Sequence, residues 1–339
     1  MTTMLEWMHE REVERTVLWR DAASGLEAIL VIDDVTLGPA AGGVRTRAYP
    51  SPRDGFADAA ALARAMTIKC ALAGLPAGGG KCVVLDHAGL DRARGFRVLG
   101  ERIAELGGLF RTAGDLGTTA ADLAAMASHC EWVHTDESGL AAAVGHGVLR
   151  CVEACAELRG VAVAGLTIAV QGCGSIGAAV ARRLAGAGAR LIVADLDAAR
   201  ARAVASETGA TVGDPAAILT APVDVIAPCA VGGVVDVAVA RAMRAWAICG
   251  AANNQLASPE AEDALIERGI LFVPDVVASG GAVIEGIGRT VMQLADRTPL
   301  IDALGTTAHQ ILEEARASGA RPTAIAQQRA RARIATRRG

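Results

Sequence analysis

Two lysines and an aspartate have the setting of acid–base groups. Lys69 lies in an apolar run of helical period (A-M-T-I-K-C-A-L, residues 65–72). Lys81 follows three consecutive glycines, Gly78 to Gly80, and enters an apolar strand pattern at residues 82–85. Neither resembles a solvated surface lysine. An ammonium withdrawn from water and faced by a second positive charge gives up its proton more readily, so the pair points to one lysine working as a base near neutral pH. The same spacing also fits two solvated lysines flanking a turn. Asp115, in A-G-D-L-G-T at residues 113–118, is an acid placed at a strand end between glycines. It can offset a lysine charge and relay a proton, and it equally suits an N-cap or a turn.

A second constellation lies further along. Residues 166–171 read as an apolar strand, followed at once by Gly172-Cys173-Gly174-Ser175-Ile176-Gly177, then a helix over about 175–187 and a strand at 191–194 ending at Asp195. A lone G-x-G-x-x-G says little. Set between strand and helix, with an acid about twenty residues beyond, it is the full dinucleotide fingerprint. The glycines admit the pyrophosphate to the backbone, the helix N-terminus presents unpaired N–H groups, and Asp195 accepts the ribose hydroxyls. A carboxylate there repels a 2′-phosphate, so NAD is expected over NADP, with Arg200 and Arg202 as the nearby cations. Two further strands, 224–229 (D-V-I-A-P-C) and 247–255 (A-I-C-G-A-A-N-N-Q), end in small or polar residues, as strands lining a ligand crevice do.

These groups need a scaffold of alternating strands and helices. A chain of 339 residues, 52% of them apolar, suggests two domains. In the first, residues 26–32 read as a strand, Ser51-Pro52 opens an alanine-rich helix to about 71, and 82–85 is a short buried strand. Helices are expected at about 92–106 and 120–128 with a strand near 109–112, then a helix over 140–158 crossing to the second domain. From about 298 the pattern is helical.

Composition excludes several functions. The net charge of −4 and the lack of a long basic run before the terminal arginines (329–338, read as a solvated helix and tail) give nothing to recruit nucleic acid or an anionic membrane. The N-terminal residues are charged throughout, unlike a signal peptide, and no apolar run is long enough to span a bilayer. Eight cysteines without a C-x-x-C pair suit buried thiols in a reducing cytoplasm. Of six histidines, His129 and His134 lie closest to a ligand cluster, but their spacing is no zinc signature and no metal is expected.

The lysine segment resembles the active-site segment of the glutamate/leucine/phenylalanine/valine dehydrogenase family, and is closest to the leucine/phenylalanine/valine type. In that family a lysine after a glycine run is catalytic and another, twelve positions earlier, holds the substrate carboxylate; Lys81 and Lys69 have that separation. L-G-P-A-A-G-G (37–43), A-G-D-L-G-T, A-P-C-A and A-N-N match as well. The resemblance implies an α/β fold with an N-terminal α/β substrate and oligomerisation domain (residues 1–138), a C-terminal doubly wound Rossmann domain (139–300), a cleft between them, and C-terminal helices (301–339) returning towards the first domain.

It further implies reversible, NAD-dependent oxidative deamination of an L-amino acid to the 2-oxo acid and ammonia by a homodimer or larger homo-oligomer. Lys81 would activate water, Asp115 would shuttle protons, and Lys69, Gly42, Gly43, Ala41, Met66, Ala113, Asn253 and Val283 would surround the substrate. Gly172, Gly174, Ser175, Ile176, Gly177, Asp195, Cys229, Ala230 and Asn253 would hold the cofactor. Glutamate-specific members carry a lysine where this chain has Ala41, so an apolar side chain is expected, of the leucine/valine/phenylalanine class with tryptophan as an extension. Ala113 and Val283 look like the leucine/valine type, whereas Ala41 and Gly286 leave room for an aromatic ring. The chain departs from the family at Ala278-Ser279-Gly280-Gly281, where relatives have N-A-G-G, at Val144 and His146, in the short link between Trp132 and Leu140, and at Glu285, read as a ligand for a polar substrate group or a solvated acid. A catalytically silent NAD-binding sensor or scaffold of the same fold is the alternative.

Overall fold

In the computed structural model, which describes residues 3–338, the alternation of strand residues decides which groups face which helix. The chain divides into two units, one of residues up to Glu137 with Thr290–Gln293 and the residues from Ala330 on, the other of Ser138–Arg289 with Leu294–Arg329. The first begins with α1 (Met4–Glu10), β1 (Arg15–Asp21), β2 (Leu26–Asp34), β3 (Ala40–Arg47), α2 (Pro52–Leu72) and β4 (Gly78–Leu85). It continues with α3 (Arg92–Ala104), β5 (Phe110–Gly114) and α4 (Ala120–Ala127). Its sheet runs β1-β2-β4-β3-β5, antiparallel from β1 to β4 and parallel from β4 to β5.

One face of this sheet packs Leu30, Val44, Cys82 and Val84 on Phe96, Leu99 and Ile103 of α3. The other packs Ile29, Val31 and Val83 on Phe56, Ala59 and Ala63 of α2. Each large apolar side chain so buried contributes about 1.5–3 kcal/mol. Residues two apart on a strand share a face. Lys81, two before Val83, therefore falls on the α2 side, and Arg45, opposite Val83 in the ladder, falls there too.

Helix α2 starts where expected: Ser51 is its N-cap, with Oγ accepting from the Asp54 N–H, and Pro52 stands in the first turn. The glycine triplet before Lys81, read as a lead-in to a strand, lies inside β4. The reason is steric. A Cβ on Gly79 would sit 2.2 Å from the Ala63 carbonyl oxygen and 2.3 Å from the Thr67 nitrogen, so bare backbone there lets α2 rest directly on the strand.

The second unit opens with α5 (Leu140–Arg159), β6 (Thr167–Gln171), α6 (Ser175–Gly186), β7 (Arg190–Ala194), α7 (Ala198–Thr208) and β8 (Thr211–Val212). Then come β9 (Val225–Pro228), α8 (Val237–Ala242), β10 (Ala247–Ile248), α9 (Pro259–Glu267), β11 (Leu271–Phe272), α10 (Asp275–Ala278), α11 (Gly280–Thr290) and α12 (Thr298–Ser318). All pairs of its sheet, β11-β10-β9-β6-β7-β8, are parallel. Counted from β6 this is the doubly wound order 3-2-1-4-5-6, with the switch point between β6 and β9. The last helix, α13 (Pro322–Arg338), is the helix expected over the terminal arginines, and Arg331 and Arg337 on it are exposed, but two others are not simply solvated. Arg329 pairs with Glu314 at 2.8 Å, and Arg333 donates to the Ala71 carbonyl at 2.9 Å, at the C-terminal end of α2.

Glu285 is also corrected. It is neither solvated nor free for a ligand: its side chain is 9% exposed, and Arg297 donates to its Oε1 at 2.6 Å and its Oε2 at 3.0 Å. Arg289 adds a bond to Oε1 at 2.5 Å. Arg297 in turn donates to the carbonyls of Leu294 and Ala295, so the carboxylate ties down the turn before α12. Among the described residues, no helix is long and apolar enough to cross a membrane.

Candidate active site

Lys81 lies at the middle of β4 with only 6% of its surface exposed, and Lys69, near the end of α2, is 8% exposed. A buried ammonium needs a carboxylate, and Asp115 provides it: its Oδ2 is 2.6 Å from Lys81 Nζ. The aspartate is held by its own loop. The Leu116 carbonyl accepts from the Thr46 N–H at 3.0 Å, and Thr118 donates its hydroxyl to the Val44 carbonyl at 2.7 Å, which pins residues 115–118 against β3.

Burial drives the Lys81 pKa below its usual value, and Arg45 adds to that, while Asp115 and Asp58 oppose it. Thus the like charge acting on Lys81 in this network is a guanidinium. The Asp115 carboxyl would rise through burial, but Lys81 and Arg45 outweigh that and hold it below the ordinary range. The resting pair is an ammonium and a carboxylate, with the ammonium biased towards releasing its proton.

The glycines of L-G-P-A-A-G-G come close to these groups. A Cβ on Gly43 would stand 2.9 Å from Asp115 Cβ, and one on Gly42 would press 1.8 Å from the Gly80 oxygen with Met66 Cγ at 3.6 Å. Gly43 pairs with Ala113 across β3 and β5. Ala41, in register with Gly79 and Arg111, is buried and brings no charge. Lys81, Asp115, Gly42, Gly43, Met66 and Ala113 therefore gather where the C-terminal end of β5 meets the first half of β3 and the middle of β4.

Three groups of this network escaped the sequence reading. Arg45 donates Nε to Asp115 Oδ2 at 2.8 Å and Nη1 to both oxygens of Asp58 at 3.0 and 3.3 Å. Tyr49 donates its hydroxyl to Asp58 Oδ2 at 2.5 Å. One signal was available: Arg45 stands two residues beyond Gly43 on the same strand, which places it on the face that Gly43 turns to Asp115.

The second constellation lies in the other unit, at the switch point of its sheet. Gly172 has φ 95°, and a Cβ on it would be 2.7 Å from that of Ala230. A Cβ on Gly177 would lie 1.9 Å from the Gly172 oxygen and 3.3 Å from Cys229 Cβ, so α6 begins in contact with the turn. A Cβ on Gly174 would meet nothing within 4 Å: the space before the helix N-terminus is open. Asp195 at the end of β7 accepts from the Cys173 N–H at 2.7 Å and the Asp197 N–H at 2.8 Å. The bond from Cys173 leads the causes that keep its carboxyl ionised. Ionised oxygens so fixed retain lone pairs for ribose hydroxyls. An open cradle of backbone N–H groups with an acid beyond it fits a dinucleotide without a 2′-phosphate.

Ser175, Ala230 and Asn253 are exposed, and Ile176 and Cys229 are half-buried. Val283, half-buried, lies on α11. At the departures from the family pattern, Val144 and Ala278 are buried and apolar, His146 Nε2 is 2.9 Å from Asp302, and Ser279 donates to the Asp275 carbonyl at 2.6 Å. All eight cysteines are free thiols, and seven are buried.

Comparison with known proteins bears on both units. Residues 9–132 match the dimerisation domain of the Glu/Leu/Phe/Val dehydrogenases, and residues 193–298 match the Glutamate/Leucine/Phenylalanine/Valine dehydrogenase domain. Residues 113–230 also match the NAD binding domain of the D-isomer specific 2-hydroxyacid dehydrogenases. The leucine dehydrogenase of Geobacillus stearothermophilus is 37% identical over 290 residues, which covers 83% of this chain and 79% of that protein. The valine dehydrogenase of Streptomyces coelicolor is 37% identical over 284 residues, 80% of this chain and 78% of its own. The crystal structure of L-tryptophan dehydrogenase from Nostoc punctiforme aligns with a TM-score of 0.87 at 31% identity over 99% of both chains. By these matches the chain belongs to the glutamate/leucine/phenylalanine/valine dehydrogenase family.

Proposed function

We propose that the protein is an NAD-dependent L-amino acid dehydrogenase that deaminates apolar substrates to 2-oxo acids and ammonia, reversibly. The observation that carries this reading is the pair of buried Lys81 and half-buried Asp115 beside the glycines of β3 and β4. NAD, held at the Gly172–Gly177 turn and Asp195, would supply the hydride acceptor that makes the substrate Cα an iminium carbon. Neutral Lys81 then removes a proton from water as its oxygen attacks that carbon. Asp115 passes the proton taken up by Lys81 on to the nitrogen, and the amine of Lys81, free again, takes the carbinolamine hydroxyl proton as the C–N bond breaks, leaving the 2-oxo acid and ammonia. Lys69 neutralises the α-carboxylate, and Gly42 and Gly43 allow the backbone to approach it. Ala41, Met66, Ala113, Asn253 and Val283 complete the substrate surroundings. Gly172, Gly174, Ser175, Ile176, Gly177, Asp195, Cys229, Ala230 and Asn253 hold the cofactor.

An apolar substrate is supported by Ala41, which would leave a side-chain carboxylate buried and unpaired. Leucine, valine and tryptophan dehydrogenases among the similar proteins support the same class. We further infer a homo-oligomer, a homodimer or larger, because the first unit matches a dimerisation domain. Eight free thiols support a reducing cytoplasm as its setting.

Mixing protein, NAD and leucine, valine, phenylalanine or tryptophan at alkaline pH tests the proposal. NADH absorbance should grow with at least one of them and vanish in Lys81→Ala. NAD binding without turnover across a full amino-acid panel would refute it and leave a silent NAD-binding protein.

A further inference from the structure

The charge network around Lys81 extends beyond the two groups that the reaction uses. Lys81 Nζ and Arg45 Nε converge on one oxygen, Oδ2 of Asp115, at 2.6 and 2.8 Å. Arg45 is itself largely desolvated, with its side chain 17% exposed, so it too needs a carboxylate. Left with Asp115 alone, it would compete with Lys81 for that charge. Asp58, near the start of α2, removes the competition by accepting from the far side of the guanidinium. Tyr49 donates to the Asp58 oxygen that takes the shorter bond and holds the carboxylate in place. Along Tyr49–Asp58–Arg45–Asp115–Lys81, two positive and two negative charges alternate and cancel.

We propose that Arg45 and Asp58 are positioning residues for the deamination: Arg45 holds the Asp115 carboxylate on Lys81, and Asp58, locked by Tyr49, neutralises Arg45 so that Asp115 stays available to the lysine. The inference rests on the roles given above to Lys81 and Asp115. An arginine is required because one planar fork must serve two carboxylates in fixed directions, which a rotating ammonium cannot do. The charged and titratable groups facing Arg45 are Asp115 beyond β5, Lys81 on β4, and Asp58 and Tyr49 from α2 and the segment before it. Arg47, whose guanidinium lies 5.7 Å from the Tyr49 ring centre, stands behind them.

This arrangement has a signature that a purely structural role lacks. Arg45 disfavours the Lys81 ammonium and Asp58 favours it, so removing their charges moves the working pH in opposite directions. Loss of Arg45 raises the pH at which Lys81 becomes a free amine. Loss of Asp58 lowers it, because the guanidinium field is then uncompensated.

The test is the pH profile of kcat for NAD-dependent deamination of L-leucine, or of whichever apolar amino acid turns over best, in Arg45→Gln, Arg45→Lys, Asp58→Asn, Tyr49→Phe and Lys81→Ala. Arg45→Gln should lower kcat on the order of 100-fold, as misplacement of a reacting group does, and shift the acid limb, on which activity rises as Lys81 loses its proton, to higher pH. Arg45→Lys should return the limb to its original position but restore kcat only in part. Asp58→Asn should shift the limb to lower pH, and Tyr49→Phe should shift it the same way by less. If Arg45→Gln does not fold, the isosteric Asp58→Asn decides alone, and an unmoved limb refutes the inference. Shifts of Arg45→Gln and Asp58→Asn in the same direction refute it as well. Lys81→Ala separates the two levels: an active Lys81→Ala overturns the underlying assignment, whereas an inactive one with unmoved limbs overturns only the role of Arg45 and Asp58.

Discussion

Two glycines of one turn should respond to the same added methyl in opposite ways. Gly174, the N-cap of α6, has φ −67° and ψ −174°, which alanine adopts without strain, and its Cβ would meet nothing within 4 Å. Alanine is a poorer N-cap by about 0.5–1 kcal/mol, and the lost freedom of the unfolded chain returns about 0.4–1 kcal/mol. Gly174→Ala should therefore leave the unfolding midpoint nearly unchanged. Its methyl, however, would stand in the open space before the helix N-terminus, where the pyrophosphate must reach the backbone. A loss of 10- to 100-fold in affinity corresponds to about 1.4–2.7 kcal/mol.

Gly177→Ala meets backbone instead, with Cβ 1.9 Å from the Gly172 oxygen, so the turn must move and about 1–3 kcal/mol of stability is lost. Thermal unfolding with and without NADH, together with a fluorescence titration of NADH, separates the two effects. Binding of NADH by Gly174→Ala at the parent affinity would refute the cradle. Unchanged stability in Gly177→Ala would refute the packing argument.

Two further outcomes concern buried charge. Lys81→Met should abolish turnover yet raise stability by about 1–2 kcal/mol at neutral pH, since Asp115 keeps Arg45 as its partner and the burden of a buried ammonium is gone. Because the folded pKa of Lys81 lies below its ordinary 10.5, the unfolded parent binds more protons between the two values, so parent stability climbs through that window and the gap closes. Urea midpoints at neutral and alkaline pH measure this, and a variant less stable than the parent at neutral pH contradicts it. Glu285→Gln should cost about 2–3 kcal/mol at neutral pH by leaving Arg289 and Arg297 without their carboxylate. The bonds from Arg297 lead the causes that hold its pKa below 4.5, so its contribution is present above that value and lost as pH falls through the folded pKa. Urea midpoints for the two proteins should converge in acid, and a constant difference would disprove the linkage.

What could be read from the sequence was what local chemistry determines. Ser51-Pro52 marks its own helix start, and the fingerprint at Gly172 to Gly177 is a strand, a turn and a helix in succession. Asp115 and Lys81 were legible as groups, and the family resemblance supplied their pairing. Arg45 was missed because its partners come from elsewhere: Asp58 lies 13 residues away and Asp115 70, and only the register of β3 against β4 and β5 unites them. Strand β1 was missed for a related reason, since its residues are all exposed or half-buried and carry no apolar alternation strong enough to announce an edge strand. Strand β11, two residues long, exists through pairing with β10 rather than through any pattern of its own, and β10 keeps only the first two residues of the strand read over 247–255. Glu285 looked solvated because neither of its arginines is identifiable as a partner until α11 and the turn before α12 are folded together.

The contact of Gly79 with the backbone of α2 bears on how such a protein can diversify. With main chain touching main chain, no substitution can wedge the helix away from the strand by a fraction of an ångström. New substrate preferences must then be reached by exchanging protruding groups such as Met66, while the interval between scaffold pieces stays constant. In a saturation library selected for any altered preference, position 79 should return glycine alone, and variation should concentrate among its neighbours on the helix.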